Sequence, residues 1–159
     1  MVQLTGMAVT LTTDGDDDSD TDDHLYIGII GSGGGREFPL DSEKEDFNQG
    51  QTEKFQLGLI WQGGFTDGST KYPKQSEPGK GNDPARIPLD LDRVNFVYLR
   101  KQGDNTTDGD DAYQLQELSV VLYGPASPSM RSFRFNGQNK SLWLANENGH
   151  VVYLEEIEG

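Results

Sequence analysis

Leu25-Tyr26-Ile27-Gly28-Ile29-Ile30 is the stretch that decides the fold. It is apolar on both alternating faces, so as a strand it must be covered on both sides, which places it inside a sheet. On its C-terminal side, Gly31-Ser32-Gly33-Gly34-Gly35 reads as a hairpin-like turn. Arg36-Glu37-Phe38-Pro39-Leu40 then reads as a short strand, with Pro39 putting it at a sheet edge or a strand end. On its N-terminal side lies Asp14-Gly15-Asp16-Asp17-Asp18-Ser19-Asp20-Thr21-Asp22-Asp23. Before that run, Met7, Val9 and Leu11 alternate with polar or small residues, as in a half-buried strand.

Further along, strands are expected at Glu53 to Ile60, Val94 to Arg100, Leu115 to Tyr123, Phe133 to Phe135, Leu142 to Leu144 and Val151 to Leu154. Leu118, Val120 and Leu122 share one face, and Pro125 and Pro128 break the chain. From Gly63 to Arg86 runs a long Gly/Pro/Lys-rich loop, the segment expected to move most. About eight short strands without helical periodicity predict an all-β, antiparallel β-sandwich.

Composition agrees. A chain of 159 residues is expected to form one domain, 1–159, with a real core. Its 33% hydrophobic content, with 20 Gly and 7 Pro, suits short strands joined by turns better than a helical bundle. The net charge of −14 argues against nucleic acid and against simple attraction to anionic lipid. That charge is concentrated: residues 14–23, 41–46 and 104–111 hold fifteen of the 27 acids, so the rest of the chain is near neutral. With no Cys, disulfides, thiolate metal sites and cysteine nucleophiles are excluded. The N-terminus lacks the basic and long apolar regions of a signal peptide, and no run approaches the ~18 apolar residues of a transmembrane segment.

Crowded carboxylates raise one another's proton affinity. Short oxygen-bearing side chains on a turn are also what a hard cation such as Ca2+ selects, with six to eight oxygens. The same run reads as a solvated acidic face. Partial EF-hand matches beginning at Asp14 and Asp104 fail, because Leu25 and Leu115 stand where the bidentate Glu is required. Catalysis finds little footing: His24 and His150 are the only imidazoles, and no nucleophile elbow is present. The chain is therefore expected not to be an enzyme. Trp61, Phe65 and Tyr72 around the long loop read either as exposed anchors or as core beneath it, and the environment of Trp143 stays open.

Thr21-Asp22-Asp23-His24-Leu25-Tyr26-Ile27-Gly28-Ile29, Arg36-Glu37-Phe38-Pro39-Leu40-Asp41 and Asp46-Phe47 resemble a PLAT domain. This β-sandwich family occurs in lipoxygenases, pancreatic lipases, polycystins and calcium-dependent phospholipase C toxins. Asn82-Asp83-Pro84-Ala85-Arg86, Asp92-Arg93-Val94, Val97-Tyr98-Leu99-Arg100, Leu142-Trp143-Leu144-Ala145-Asn146 and Val152-Tyr153-Leu154 resemble stand-alone or tandem bacterial members. The similarity runs from Met7 to Leu154 and implies two four-stranded sheets packed face to face.

The resemblance to calcium-binding members also implies a ligand set. Asp18 matches a side-chain ligand, Asp20 stands where a glycine gives its carbonyl, and Asp111 and Ala112 match a carboxylate and a carbonyl for the same ion. Asp41, Ser42, Lys44 and Asp46 fall on a second position, where Lys44 offers only its backbone oxygen. Thr21 and Asp22, with Asp46, resemble a third, weaker one. Ser42 and Lys44 replace an asparagine and a glycine of that pattern. The function implied is a calcium-binding module that docks on a lipid surface or a protein partner. The alternative is a structural or self-assembling protein whose calcium stiffens loops. Calcium favours an extracellular or cell-surface setting; if Met1 is the native start and no other export route exists, the setting is cytoplasmic.

Overall fold

The computed structural model describes residues 2–15, 24–42, 46–61, 64–65, 68–102, 113–126, 129–137, 141–144 and 150–157. These form ten β-strands: β1 (Gly6–Thr13), β2 (His24–Gly31), β3 (Gly34–Pro39), β4 (Thr52–Gly58), β5 (Val94–Gln102), β6 (Tyr113–Tyr123), β7 (Met130–Asn136), β8 (Leu142–Leu144), β9 (Val151–Tyr153) and β10 (Glu155–Ile157). A 3-10 turn, Leu91–Arg93, leads into β5, with the Asp90 side chain accepting the Asp92 amide.

Two antiparallel sheets pack face to face. One has four strands in the order β3-β2-β5-β9, so β2 lies inside the sheet as expected, although among the described residues no second layer covers its outer face and Ile30 is exposed. The other has six strands, β10-β7-β6-β1-β4, with β8 paired to the start of β6. The expectation of four strands here falls short because two three-residue strands extend the sheet. Leu142–Leu144 pairs with Tyr113–Leu115, and Glu155–Ile157 pairs with Ser132–Arg134. The acidic β10 has no apolar alternation to reveal it, and the Arg131 guanidinium fork on Glu156 helps hold it.

Inward residues follow the period-2 pattern. Met7, Val9 and Leu11 meet Phe55, Leu57, Leu118, Val120 and Leu122 from one sheet. Leu25, Ile27, Ile29, Phe38, Val97 and Leu99 close the core from the other. Each such side chain contributes about 1.5–3 kcal/mol when fully buried. Gly28 is the exception on β2: it faces outward beneath Tyr98, whose ring carbon would lie 1.9 Å from a Cβ there.

The Gly/Pro-rich segment expected to be most mobile is tethered at several points. Asp83 is buried and accepts from the amides of Gly79 (2.8 Å) and Ala85 (3.0 Å), while Arg36 donates to its carbonyl (2.8 Å). Asn82 donates to the Pro39 carbonyl at 2.9 Å. Residues 70–76 run along β4: Lys71 donates to the Lys54 carbonyl, Gln56 donates to the Lys71 carbonyl, and Gly58 donates to Ser76. A Ser42–Pro73 bridge then carries this segment across to the end of β3. The outer edge of β4 is thereby covered, which removes an exposed template for strand pairing. Among the described residues no helix is long and apolar enough to cross a membrane.

Candidate functional site

The three acidic segments connect strand ends that lie at one end of the sandwich. Thr12 pairs with Thr52 and Thr13 with Leu115, so β1 ends where β4 and β6 begin. In the other sheet His24 pairs with Gln102 and Tyr26 with Pro39, so β2 begins where β5 and β3 end. Local hydrogen bonds knit this end together. Asp14 donates its amide to the Gln114 carbonyl (3.0 Å), Gly50 donates to the Asp14 carbonyl (3.0 Å), and Ser141 donates its hydroxyl to the Asp14 carboxylate. The hydroxyls of Thr13 and Tyr113 share a 2.7 Å hydrogen bond, and burial pushes the Tyr113 phenol well up from its ordinary value.

Of the residues matched to metal ligands, Asp18, Asp20, Thr21, Asp22, Lys44, Asp111 and Ala112 lie outside the described residues. Asp41, Ser42 and Asp46 lie within them. Asp46 accepts the Ser42 amide at 2.7 Å and the Ser42 hydroxyl at 2.6 Å, and its Oδ1 lies 3.2 Å from the Lys71 ammonium. Lys71 also donates to Glu53 Oε2 at 3.0 Å. Asp41 pairs with Lys74 at 3.0 Å near solvent. Among the described residues, no group of three or more His, Asp or Glu is arranged to hold a metal.

Glu53 and Lys71 escaped the sequence reading as site residues. Glu53 nevertheless alternates in phase with buried Phe55 and Leu57, which places a carboxylate on the inward face. It accepts the amides of Phe47 (2.8 Å) and Asn48 (2.7 Å). Those amides converge because Phe47 adopts φ 62°, a left-handed conformation that is rare for a bulky residue. Its ring in turn packs on Phe55 and Tyr113, with centroids 6.0 and 6.4 Å away. The same end holds another buried lysine, Lys101, in phase with Val97 and Leu99 on the inward face of β5. Here also the amide oxygen of Gln114, at the start of β6, is buried without a hydrogen-bond partner among the described residues.

Exposed apolar side chains lie elsewhere. Trp61 packs edge-on against Tyr123 (6.1 Å, 78°) in a small cluster with Ala8, Ile60 and Phe65 on the outer face of the six-stranded sheet. Both Trp61 and Tyr123 follow or end strands at the end opposite the acids, so this pair offers no anchor beside a calcium edge. Trp143 is half-buried on β8, opposite Gln114.

The outer face of the four-stranded sheet carries Phe96 (55% exposed) and Tyr153 (59% exposed), whose rings meet at 5.9 Å. Tyr98 lies 5.6 Å from Tyr153 and donates its hydroxyl to Glu37 at 2.8 Å. Arg100 forks onto Glu37 at 2.7 and 2.8 Å and stacks over Tyr26 at 4.5 Å. The Arg100 hydrogen bonds hold Glu37 below the usual carboxylate range, and partial burial with the Glu37 hydrogen bond pushes Tyr98 up to about 12. An open groove of about 630 Å³ beside Ser42, Thr70 and Lys74 has none of the enclosure of a small-molecule pocket.

No protein-family model matches the chain, and no curated protein matches it. Solved structures do match. Alpha-toxin from an avian strain of Clostridium perfringens gives a TM-score of 0.60 at 19% identity, over 96% of this chain and 32% of the toxin chain. Alpha toxin from Clostridium absonum gives 0.58 at 19% identity, over 97% of this chain and 32% of that one. Coral 8R-lipoxygenase, described as activated by calcium through a C2-like domain, gives 0.55 at 14% identity, over 96% of this chain and 17% of that one. The chain thus spans about a third of the toxins and about a sixth of the lipoxygenase. At such identities the likeness is one of fold, that of a PLAT-like antiparallel β-sandwich.

Proposed function

We propose that this chain is a non-catalytic docking module that binds calcium at its acidic end. The observation that carries the reading is the convergence of the strand ends bounding all three acidic segments. Carboxylates crowded at one end repel where no counter-ion sits among them, and a divalent ion relieves that repulsion. Asp18 and Asp111 supply carboxylates, and Asp20 and Ala112 backbone carbonyls. The buried Gln114 oxygen, two residues past Ala112 and without a partner among the described residues, supports a polar environment there. Calcium activation through a C2-like domain, described for the coral lipoxygenase, supports the same role. Affinities of ~10⁻⁴–10⁻³ M are enough in an extracellular setting.

The partner is a protein surface met by the aromatic face of the four-stranded sheet. Phe96, Tyr98 and Tyr153 with the Glu37–Arg100 pair combine an aromatic centre with fixed polar neighbours, the composition of protein interfaces. A lipid surface is the second reading, favoured by the fold shared with the alpha-toxins and lipoxygenase.

Calorimetric titration with calcium tests the first claim. Asp111→Asn is expected to weaken binding and Asp16→Asn to change little; equal effects from both mean bulk charge and overturn coordination. Saturating calcium at ~100 times its dissociation constant adds about 2.7 kcal/mol, a melting shift on the order of 5–10 °C. Co-sedimentation with phosphatidylcholine–phosphatidylserine vesicles at millimolar calcium separates the partners. Binding that survives Phe96→Ala assigns the docking to lipid, and no binding leaves the protein reading.

A further inference from the structure

Resemblance places a calcium ion against Asp41, Ser42, Lys44 and Asp46, and among the described residues, which leave out Lys44, the carboxylates are already satisfied without one. The Asp46 side chain is 5% exposed, and both of its oxygens accept hydrogen bonds. One meets the Ser42 amide; the other meets the Ser42 hydroxyl and, at 3.2 Å, the Lys71 ammonium. Glu53 holds the same ammonium at 3.0 Å while fixing two loop amides. Asp41, the remaining described carboxylate of the set, faces Lys74 at 3.0 Å.

Calcium needs six to eight oxygens at 2.3–2.6 Å. An ion bound to Asp46 would share a buried carboxylate with an ammonium a few ångströms away, and like charges that close cost several kcal/mol at interior dielectric. Lys71 cannot easily move aside. Its backbone is stitched into the edge of β4 through Lys54 (2.7 Å) and Gln56 (3.0 Å), and its side chain is 11% exposed with the ammonium donating to Glu53 at 3.0 Å. The donor set therefore does not fit a metal.

We propose that Lys71 is the resident cation of the loop between β3 and β4, and that Asp41, Ser42 and Asp46 form no calcium site. The Lys71 ammonium bridges Asp46 in the β3–β4 loop to Glu53 at the start of β4, a cross-link that a metal would otherwise provide. It operates at any calcium concentration. Within the proposed function, this confines calcium to the segments 14–23 and 104–111.

The test compares wild type, Asp46→Asn and Lys71→Met by calorimetric calcium titration and by melting in calcium and in chelator. Asp46→Asn is expected to keep the wild-type number of bound ions while melting several degrees lower in chelator. Lys71→Met is expected to melt lower in chelator and to gain more from calcium than wild type does, because the vacated carboxylates become available. Loss of one bound ion in Asp46→Asn overturns the proposal, as does a Lys71→Met variant that melts with wild type in chelator. If Lys71→Met fails to fold, the ion count in Asp46→Asn decides alone. A wild type that binds no calcium defeats the proposed function and leaves this inference to the two chelator melts.

Discussion

Two acid–base clusters, one tying the β3–β4 loop to β4 and one lying on the outer face of the smaller sheet, use similar side chains in opposite settings. In the first, Lys71 is 11% exposed and Asp46 and Glu53 are 5% exposed. In the second, Arg100 and Glu37 are 27% and 31% exposed, and the network ends on aromatic rings instead of backbone amides. Burial decides what each does. Breaking a buried pair strands a charge and costs about 3–5 kcal/mol, whereas exposed pairs contribute about 0–1 kcal/mol. The first cluster holds the fold. The second holds Tyr98 and Tyr26 in place on a surface that faces outward.

The largest effect is expected from Glu53→Gln, which removes a charge opposite buried Lys71. A loss of about 3 kcal/mol lowers the melting temperature by roughly 6–12 °C in differential scanning calorimetry. A loss below 1 kcal/mol would erase the distinction between the clusters. Gly28→Ala comes next. Its methyl collides with the Tyr98 ring, and displacing that ring costs about 1–3 kcal/mol, checked by melting together with near-UV circular dichroism of the tyrosines.

Glu37→Gln is the smallest, at most about 1 kcal/mol after solvent screening. Its pH dependence sharpens the comparison. The Arg100 hydrogen bonds lower the folded-state pKa of Glu37 below 4.5, so the unfolded chain binds more protons in that range. The Glu37 contribution is therefore full above 4.5 and is lost as pH falls through the lowered value. Wild-type and Glu37→Gln stabilities should converge in acid. Curves that stay parallel down to pH 2–3 would show that Glu37 acts through shape, not charge.

Much of the fold was legible because it rests on period-2 alternation. The apolar run of β2 points to its place inside a sheet, and Pro39 points to the place of β3 at an edge. The three-residue strands β8 and β10 owe their pairing to neighbours distant in sequence, which no local pattern records. For the site, acidity marked loops whose bounding strand ends lie at one end of the sandwich, but not the counter-ions within them. Glu53 in phase with Phe55, and Lys101 in phase with Leu99, were the available signals, since an ionisable group in register with core residues demands a partner. Lys71 carried no such signal: it comes from an irregular segment whose course along β4 is set by tertiary hydrogen bonds. Trp61 and Phe96 show the same limit on the outer faces. The tryptophan in the loop is packed, while the phenylalanine inside a strand projects outward.

The first strand of the chain lies between β4 and β6, and its Thr13 shares a hydroxyl hydrogen bond with Tyr113 of β6, a hundred residues away. The middle of the larger sheet therefore stays open, with Met7, Val9 and Leu11 lacking half of their cover, until the residues of β6 arrive. Closing so long a loop before any contact rewards it is slow, and domains dominated by such pairings fold in milliseconds to seconds. The order of strands thus makes the closing of the β1–β6 seam a late, long-range step of folding, set by topology and not by the strength of any one contact.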